Sequence, residues 1–174
     1  MKFDLEKSIE ILERTPKVLI SMLSGLSRDW IENNEGTETW SPYDVVGHFI
    51  QGEKKDWIPR AKIILSDVGN KEFVPFDRFA QFEASKGKTL VQLLEEFESL
   101  RIANIEKLRA LKIREDQLKL EGIHPAFGKV TLEQLLSTWV VHDLNHISQI
   151  SRVMASQYKK EAGPWNAYLR ILNS

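Results

Sequence analysis

Apolar residues recur at steps of three and four through four stretches of the chain, and three of those stretches open on a residue suited to capping a helix. The clearest carries Leu90, Leu93, Leu94, Phe97, Leu100, Ile105, Leu108 and Leu111 behind Thr89, a spacing that gathers them on one helical face. Ser41-Pro42 reads as the N-cap and first turn of a helix reaching about Leu65. Thr131, with Glu133 and Gln134 close behind, opens a helix to about Tyr158, and Gly163-Pro164 ends it. Between Phe3 and Leu26 the pattern divides at Thr15-Pro16 into two helical pieces. No alternating strand pattern of useful length and no internal repeat appears. The chain is therefore expected to be all-α, a four-helix bundle with a long loop between its second and third helices and helical extras in the tail.

The connections differ in character. Ser27 to Thr39 is polar, and Arg114 to Val130, holding Gly122, Pro125 and Gly128, reads as a turn region. Ser66 to Lys88 carries Phe73, Phe76, Phe79 and Phe82, too many aromatics for a solvated linker, and is expected to pack down as a lid. At 174 residues the chain suits a single domain spanning 1–174. With 24 Lys+Arg against 25 Asp+Glu there is no basic field to hold nucleic acid or an anionic membrane. No apolar run nears the ~18 residues of a membrane span. Asp4 and Glu6 stand where a signal peptide would carry only positive charge, so a cytoplasmic location is expected. The chain has no cysteine. Any metal site must then use His, Asp or Glu, and any thiol chemistry needs a thiol from outside.

The helix opened by Thr131 contains His142-Asp143-Leu144-Asn145-His146. At about 100° per residue the two histidines lie one turn apart and about 40° apart around the axis, so both imidazoles can converge on one ion. His146 and Asp143 project from the apolar face, where an unpaired carboxylate is costly, and a metal ion is one partner that could satisfy them. A pair of ordinary buried histidines, hydrogen-bonded inside the bundle, fits the same spacing. His48 on the second helix offers a third ligand, with Gly52 one turn on leaving room for its ring. Three histidines from two helices, with positions left open, is the donor set of a catalytic ion. The HDxxH pattern departs from the HExxH of zinc metalloproteases, because Asp143 is one methylene shorter and the third ligand lies upstream. No nucleophile elbow or glycine-rich phosphate loop is present.

These residues resemble the DinB-like family of bacterial metal-binding four-helix bundles. The resemblance rests on WSPYDVVGHFIQGE (Trp40 to Glu53), FDRFAQFE (Phe76 to Glu83), GIHPAFGKVTLEQLLSTWVVHDLNHISQISRV (Gly122 to Val153) and GPWNAYL (Gly163 to Leu169), nearly the whole chain. It implies a divalent ion, Zn²⁺ or Ni²⁺, on His48, His142 and His146. It also points to metal-dependent chemistry on a small-molecule substrate, either hydrolysis or S-transfer with a low-molecular-weight thiol such as bacillithiol or mycothiol. The alternative is a non-catalytic or stress-response protein whose ion is structural.

Glu53 and Asp143 are the carboxylates considered as a base beside such an ion. For Glu53 the favoured reading is an ion pair with an arginine, Arg60 lying on much the same side. His124, in a turn before Pro125, is left outside the ligand set. Trp40 and Trp139 could line a pocket or fill the core. Val140, Val141, Leu144 and Ile147 spread the apolar surface almost all round the last long helix, which predicts a homodimer unless the tail or the phenylalanine loop covers it.

Overall fold

The computed structural model describes residues 1–67 and 69–173; Val68 and Ser174, which the expected 1–174 domain includes, lie outside the described residues. The helices among them are α1 (Leu5–Leu12), α2 (Thr15–Leu23), α3 (Arg28–Glu32), α4 (Pro42–Lys55), α5 (Trp57–Leu65), α6 (Ala80–Ala84), α7 (Leu90–Ala110) and α8 (Leu132–Ser156). Four rods result: α1 with α2, α4 with α5, α7, and α8. They form the expected four-helix bundle, and short 3₁₀ turns close the tail. Ser41, Thr89 and Thr131 each cap their helix through a reciprocal box, with Asp44, Gln92 and Gln134 bonding back to the cap backbone. No described helix is long and apolar enough to cross a membrane.

Two expectations change. The helix expected over Ser41 to Leu65 is broken at Asp56 (φ −107°, ψ −77°), between α4 and α5. Pro59 explains the break: it has no N–H to give the Lys55 carbonyl, and its ring crowds that carbonyl. The region before α8 holds an antiparallel hairpin, β1 (Glu121–His124) paired with β2 (Gly128–Thr131) in the register Glu121↔Thr131 to His124↔Gly128. Four-residue strands are too short to show an alternation in the sequence. The phenylalanine loop does pack down. Phe73 donates its backbone N–H to the Ile123 carbonyl and buries its ring in the core, and the Tyr43 hydroxyl lies 2.6 Å from the Ser85 carbonyl, holding the loop's far end to α4. Gly47 permits this, because a Cβ there would sit 2.5 Å from Ser85 Oγ and 3.1 Å from Gln81 Cβ.

The core is divided along the bundle. One apolar cluster joins Ile9, Leu12, Trp57, Ile64, Ile105, Leu108, Leu132 and Trp139; the other joins Leu19, Leu23, Val45, Phe49, Leu93, Phe97 and Ile150. On three of the rods the residues between the clusters are polar and buried: Glu53 on α4, Arg101 and Asn104 on α7, and Asp143 on α8. The tail packs on α8 and buries Leu172, while Val141 and Leu144 stay exposed.

Candidate metal centre

Beside the polar layer, α4 brings up His48 and α8 brings up His142 and His146. One ring nitrogen from each lies within 4.8 Å of the others. His48 Nε2 and His142 Nε2 are 3.0 Å apart. Two nitrogens held about 2.1 Å from one ion stand roughly 3.0 to 3.4 Å apart at angles of about 90° to 110°, so the observed spacing suits shared ligation.

The hydrogen bonds around the rings agree with this. Gln149 Oε1 lies 2.7 Å from His146 Nδ1. An amide oxygen only accepts, so Nδ1 carries the proton and the Nε2 lone pair is free. His48 Nδ1 and His142 Nδ1 are buried without a hydrogen bond among the described residues, and His142 Nδ1 stands 3.9 Å from Asp143 Oδ1. Burial, then the neighbouring His142 and His146, then Arg78, hold the His48 pKa down to about 3. Burial and His142 lower His146 to about 4. Both rings are therefore neutral at physiological pH, the form that binds metal.

Aromatic rings enclose the cluster. Trp40 lies 4.8 Å from His48, Phe76 meets His48 edge-on at 5.6 Å, Trp57 meets His142 at 5.0 Å, and Phe49 meets His146 at 5.6 Å between ring centroids. Gly52 contributes differently from the sequence reading: a Cβ there would come within 3.1 Å of Trp57 Nε1, so it makes room for the indole rather than for His48. The histidines open into a cavity of about 1000 Å³ between the phenylalanine loop, the hairpin turn and α8.

A match to the DinB superfamily runs over residues 11–150. The chain belongs to the DinB superfamily. Among solved structures, this DinB chain is similar to YfiT from Bacillus subtilis, described as "a probable metal-dependent hydrolase with an unusual four-helix bundle topology". The TM-score is 0.72 at 21% identity, covering 91% of this chain and 87% of that one. It is also similar to TT2238, described as a four-helix bundle protein, with TM-score 0.52 at 17% identity over 85% of this chain and 98% of that one. At such identities the likeness is one of fold. No curated protein matches the chain by sequence.

Glu53 and Asp143 do not reach the DinB cavity. Both are sealed beneath the histidines on Arg101, whose Nη2 lies 2.8 Å from Glu53 Oε1 and whose Nη1 lies 2.5 Å from Asp143 Oδ2. Asn104 Nδ2 and Trp139 Nε1 also donate to Glu53. The arginine partner of Glu53 is thus Arg101 of α7; Arg60 pairs with Asp56 at 2.6 Å. The burial of Glu53 pushes its carboxyl up, against the pull of Arg101. Burial pushes Asp143 the same way, but Arg101 and the hydrogen bonds around it bring that carboxyl below its usual range. One guanidinium thus serves two carboxylates.

His124 lines the cavity wall apart from the cluster. Its Nδ1 accepts from the Ala126 and Phe127 backbone N–H groups at 3.1 and 3.3 Å, which puts the ring proton on Nε2 and leaves no lone pair for a metal. Trp40 faces the cavity and Trp139 is core. The sequence reading did not single out Arg101, Gln149, Asp56 or Arg78. Arg101 had a signal, since it falls on the stripe of α7 between Phe97 and Ile105 where an apolar residue belongs.

Proposed function

We propose that this DinB-superfamily chain is a metal-dependent enzyme. In this reading His48, His142 and His146 hold one divalent ion, Zn²⁺ or Ni²⁺, and the substrate is a small molecule. One observation carries the reading: the three convergent imidazoles stand on the wall of a large cavity, and no fourth His, Asp or Glu closes the group among the described residues. A structural ion is normally enclosed by four protein ligands, whereas a catalytic one keeps a position open. The description of YfiT supports the same reading.

A bound ion supplies Lewis-acid activation of a water or thiol nucleophile. The chain's own residues prepare its seat. Gln149 fixes the tautomer of His146, Trp40 and Phe76 shield the His48 ring from water, and the Glu53–Arg101–Asp143 layer ties α4, α7 and α8 together beneath it. With no cysteine in the chain, a transferase reaction would take an external thiol such as bacillithiol or mycothiol, and a hydrolase none.

Elemental analysis of protein purified without added metal is expected to find near one equivalent of ion, lost in His146→Ala. Normal content in that variant would refute the ligand set. Turnover of an electrophile and ester panel by the loaded protein, with and without thiol, then separates transferase from hydrolase. No turnover in either arm at full metal content would leave the ion structural and sink the enzyme reading.

A further inference from the structure

The polar groups on the cavity wall are mostly committed to each other. Arg60 is bound to Asp56, Arg152 to Glu35 at 2.8 Å, and Gln149 to His146. Arg78 is the exception among the cavity's cations. It has no hydrogen bond or ion pair among the described residues, and its guanidinium rests 5.8 Å from the centre of the Phe79 ring. It lines the cavity on the packed-down loop, close enough for its charge to bear on His48. Glu38, a carboxylate of the same wall with no ion pair among the described residues, stands exposed on the loop before α4.

The apolar part of the wall is equally unfinished. Phe79, Phe82 and Phe127 line the cavity and are 59%, 43% and 78% exposed. Phe79 and Phe82 stack with centroids 6.3 Å apart, and Phe127 stacks on His124 at 4.4 Å. Large aromatic faces braced by their neighbours but left open to water gain free energy when an apolar body covers them.

We propose that the cavity takes a small molecule in which an anionic group is joined to an aromatic or branched apolar body, with Arg78 binding the anion and Phe79, Phe82 and Phe127 receiving the body. The inference names a substrate class for the metal-dependent reading and rests on that reading for its purpose, but the binding itself belongs to Arg78 and the aromatic wall. A guanidinium pairs with a carboxylate or a phosphate by the same planar fork, so both anions belong to the class.

The test titrates phenylacetate, phenyl phosphate and phenethyl alcohol calorimetrically into the full chain, once stripped of metal and once loaded with Zn²⁺. In stripped protein the two anions are expected to bind about tenfold more tightly than the alcohol, the size of one charge-assisted contact. Arg78→Gln should erase that preference, and Arg78→Lys should restore part of it. Phe79→Ala with Phe82→Ala should weaken all three probes alike. Arg78 makes no hydrogen bond among the described residues, so both Arg78 variants should keep the wild-type circular dichroism. Equal affinity for anions and alcohol, no binding by any probe, or a preference that survives Arg78→Gln would overturn the proposal. So would a preference seen only in loaded protein and lost in His146→Ala, since the ion rather than Arg78 would then hold the anion. A chain that loads no metal but keeps the Arg78-dependent preference refutes the metal reading alone.

Discussion

On α4, His48 and Glu53 lie less than two turns apart, and on α8 His142 and Asp143 are neighbours, yet the fold surrounds the carboxylates with hydrogen bonds and gives the imidazoles few. Glu53 meets Arg101, Asn104 and Trp139, and Asp143 meets Arg101 through two nitrogens. His48 Nδ1 and His142 Nδ1 are buried without a hydrogen bond among the described residues, His142 Nδ1 lying 3.9 Å from Asp143 Oδ1. A buried polar group left without a hydrogen bond costs stability, so the imidazoles, whose Nε2 atoms face each other, are expected to add less to the fold than the carboxylates do. The contrast separates what holds the two core clusters together from what serves a ligand.

The largest expected effect falls on the satisfied side. Arg101→Met strands two carboxylates in the core and is expected to cost about 3–5 kcal/mol in urea unfolding, as when one partner of a buried ion pair is removed. Adding Glu53→Gln and Asp143→Asn should recover much of that loss, because the uncompensated charges are then gone. A loss from Arg101→Met below about 1 kcal/mol, the scale of an exposed pair, would mean that the layer does not bind the clusters together, and the contrast would fail.

A middle effect tests where the two regions meet. Gln149→Leu removes the acceptor that keeps the proton on His146 Nδ1, and is expected to weaken metal affinity about 10–100-fold, the usual consequence of losing an outer partner of a ligating histidine. Its metal-free unfolding should barely change, since Gln149 bridges no core cluster. Competition titration against a chelator of known affinity reads the first quantity, and urea unfolding in EDTA the second. An unchanged affinity would show that Gln149 plays no part in orienting the ring.

The sequence made the rods and the histidines legible for a common reason: both depend on spacing along one helix. Cap residues and three-four periodicity located α7 and α8, and the i, i+4 pair His142 and His146 needed only helical geometry. Pairings between rods were less legible. Glu53 was correctly expected to meet an arginine, but Arg60 lies nearer in sequence, and only packing brings Arg101 from α7 to it. The helix break was readable in Pro59, whose effect on the Lys55 carbonyl is local. Arg78 and the open phenylalanines sit on a loop with no period, so their place on the cavity wall follows from Phe73 and Tyr43 anchoring that loop.

The smallest effect has the sharper sign. If the histidines are held open for an ion, they contribute little to the metal-free fold, and filling the place of one with an apolar side chain should not hurt it. His48 is 7% exposed among aromatic rings, so His48→Leu exchanges a buried imidazole with an unpartnered Nδ1 for a side chain that needs no hydrogen bond. In EDTA this variant is expected to match the parent or exceed it by about 0.5–1 kcal/mol, the modest gain typical when a functional site is traded for stability. The same variant should lose the stabilisation that added Zn²⁺ gives the parent, which grows with ion concentration as RT ln(1 + [L]/Kd). Urea unfolding of both proteins with and without Zn²⁺ reads all four values. A metal-free loss of more than about 1 kcal/mol, the net worth of one satisfied hydrogen bond, would show that the 3.0 Å contact between His48 and His142 is itself a structural bond. The histidines would then belong with Glu53 and Asp143 among the groups that hold the bundle together.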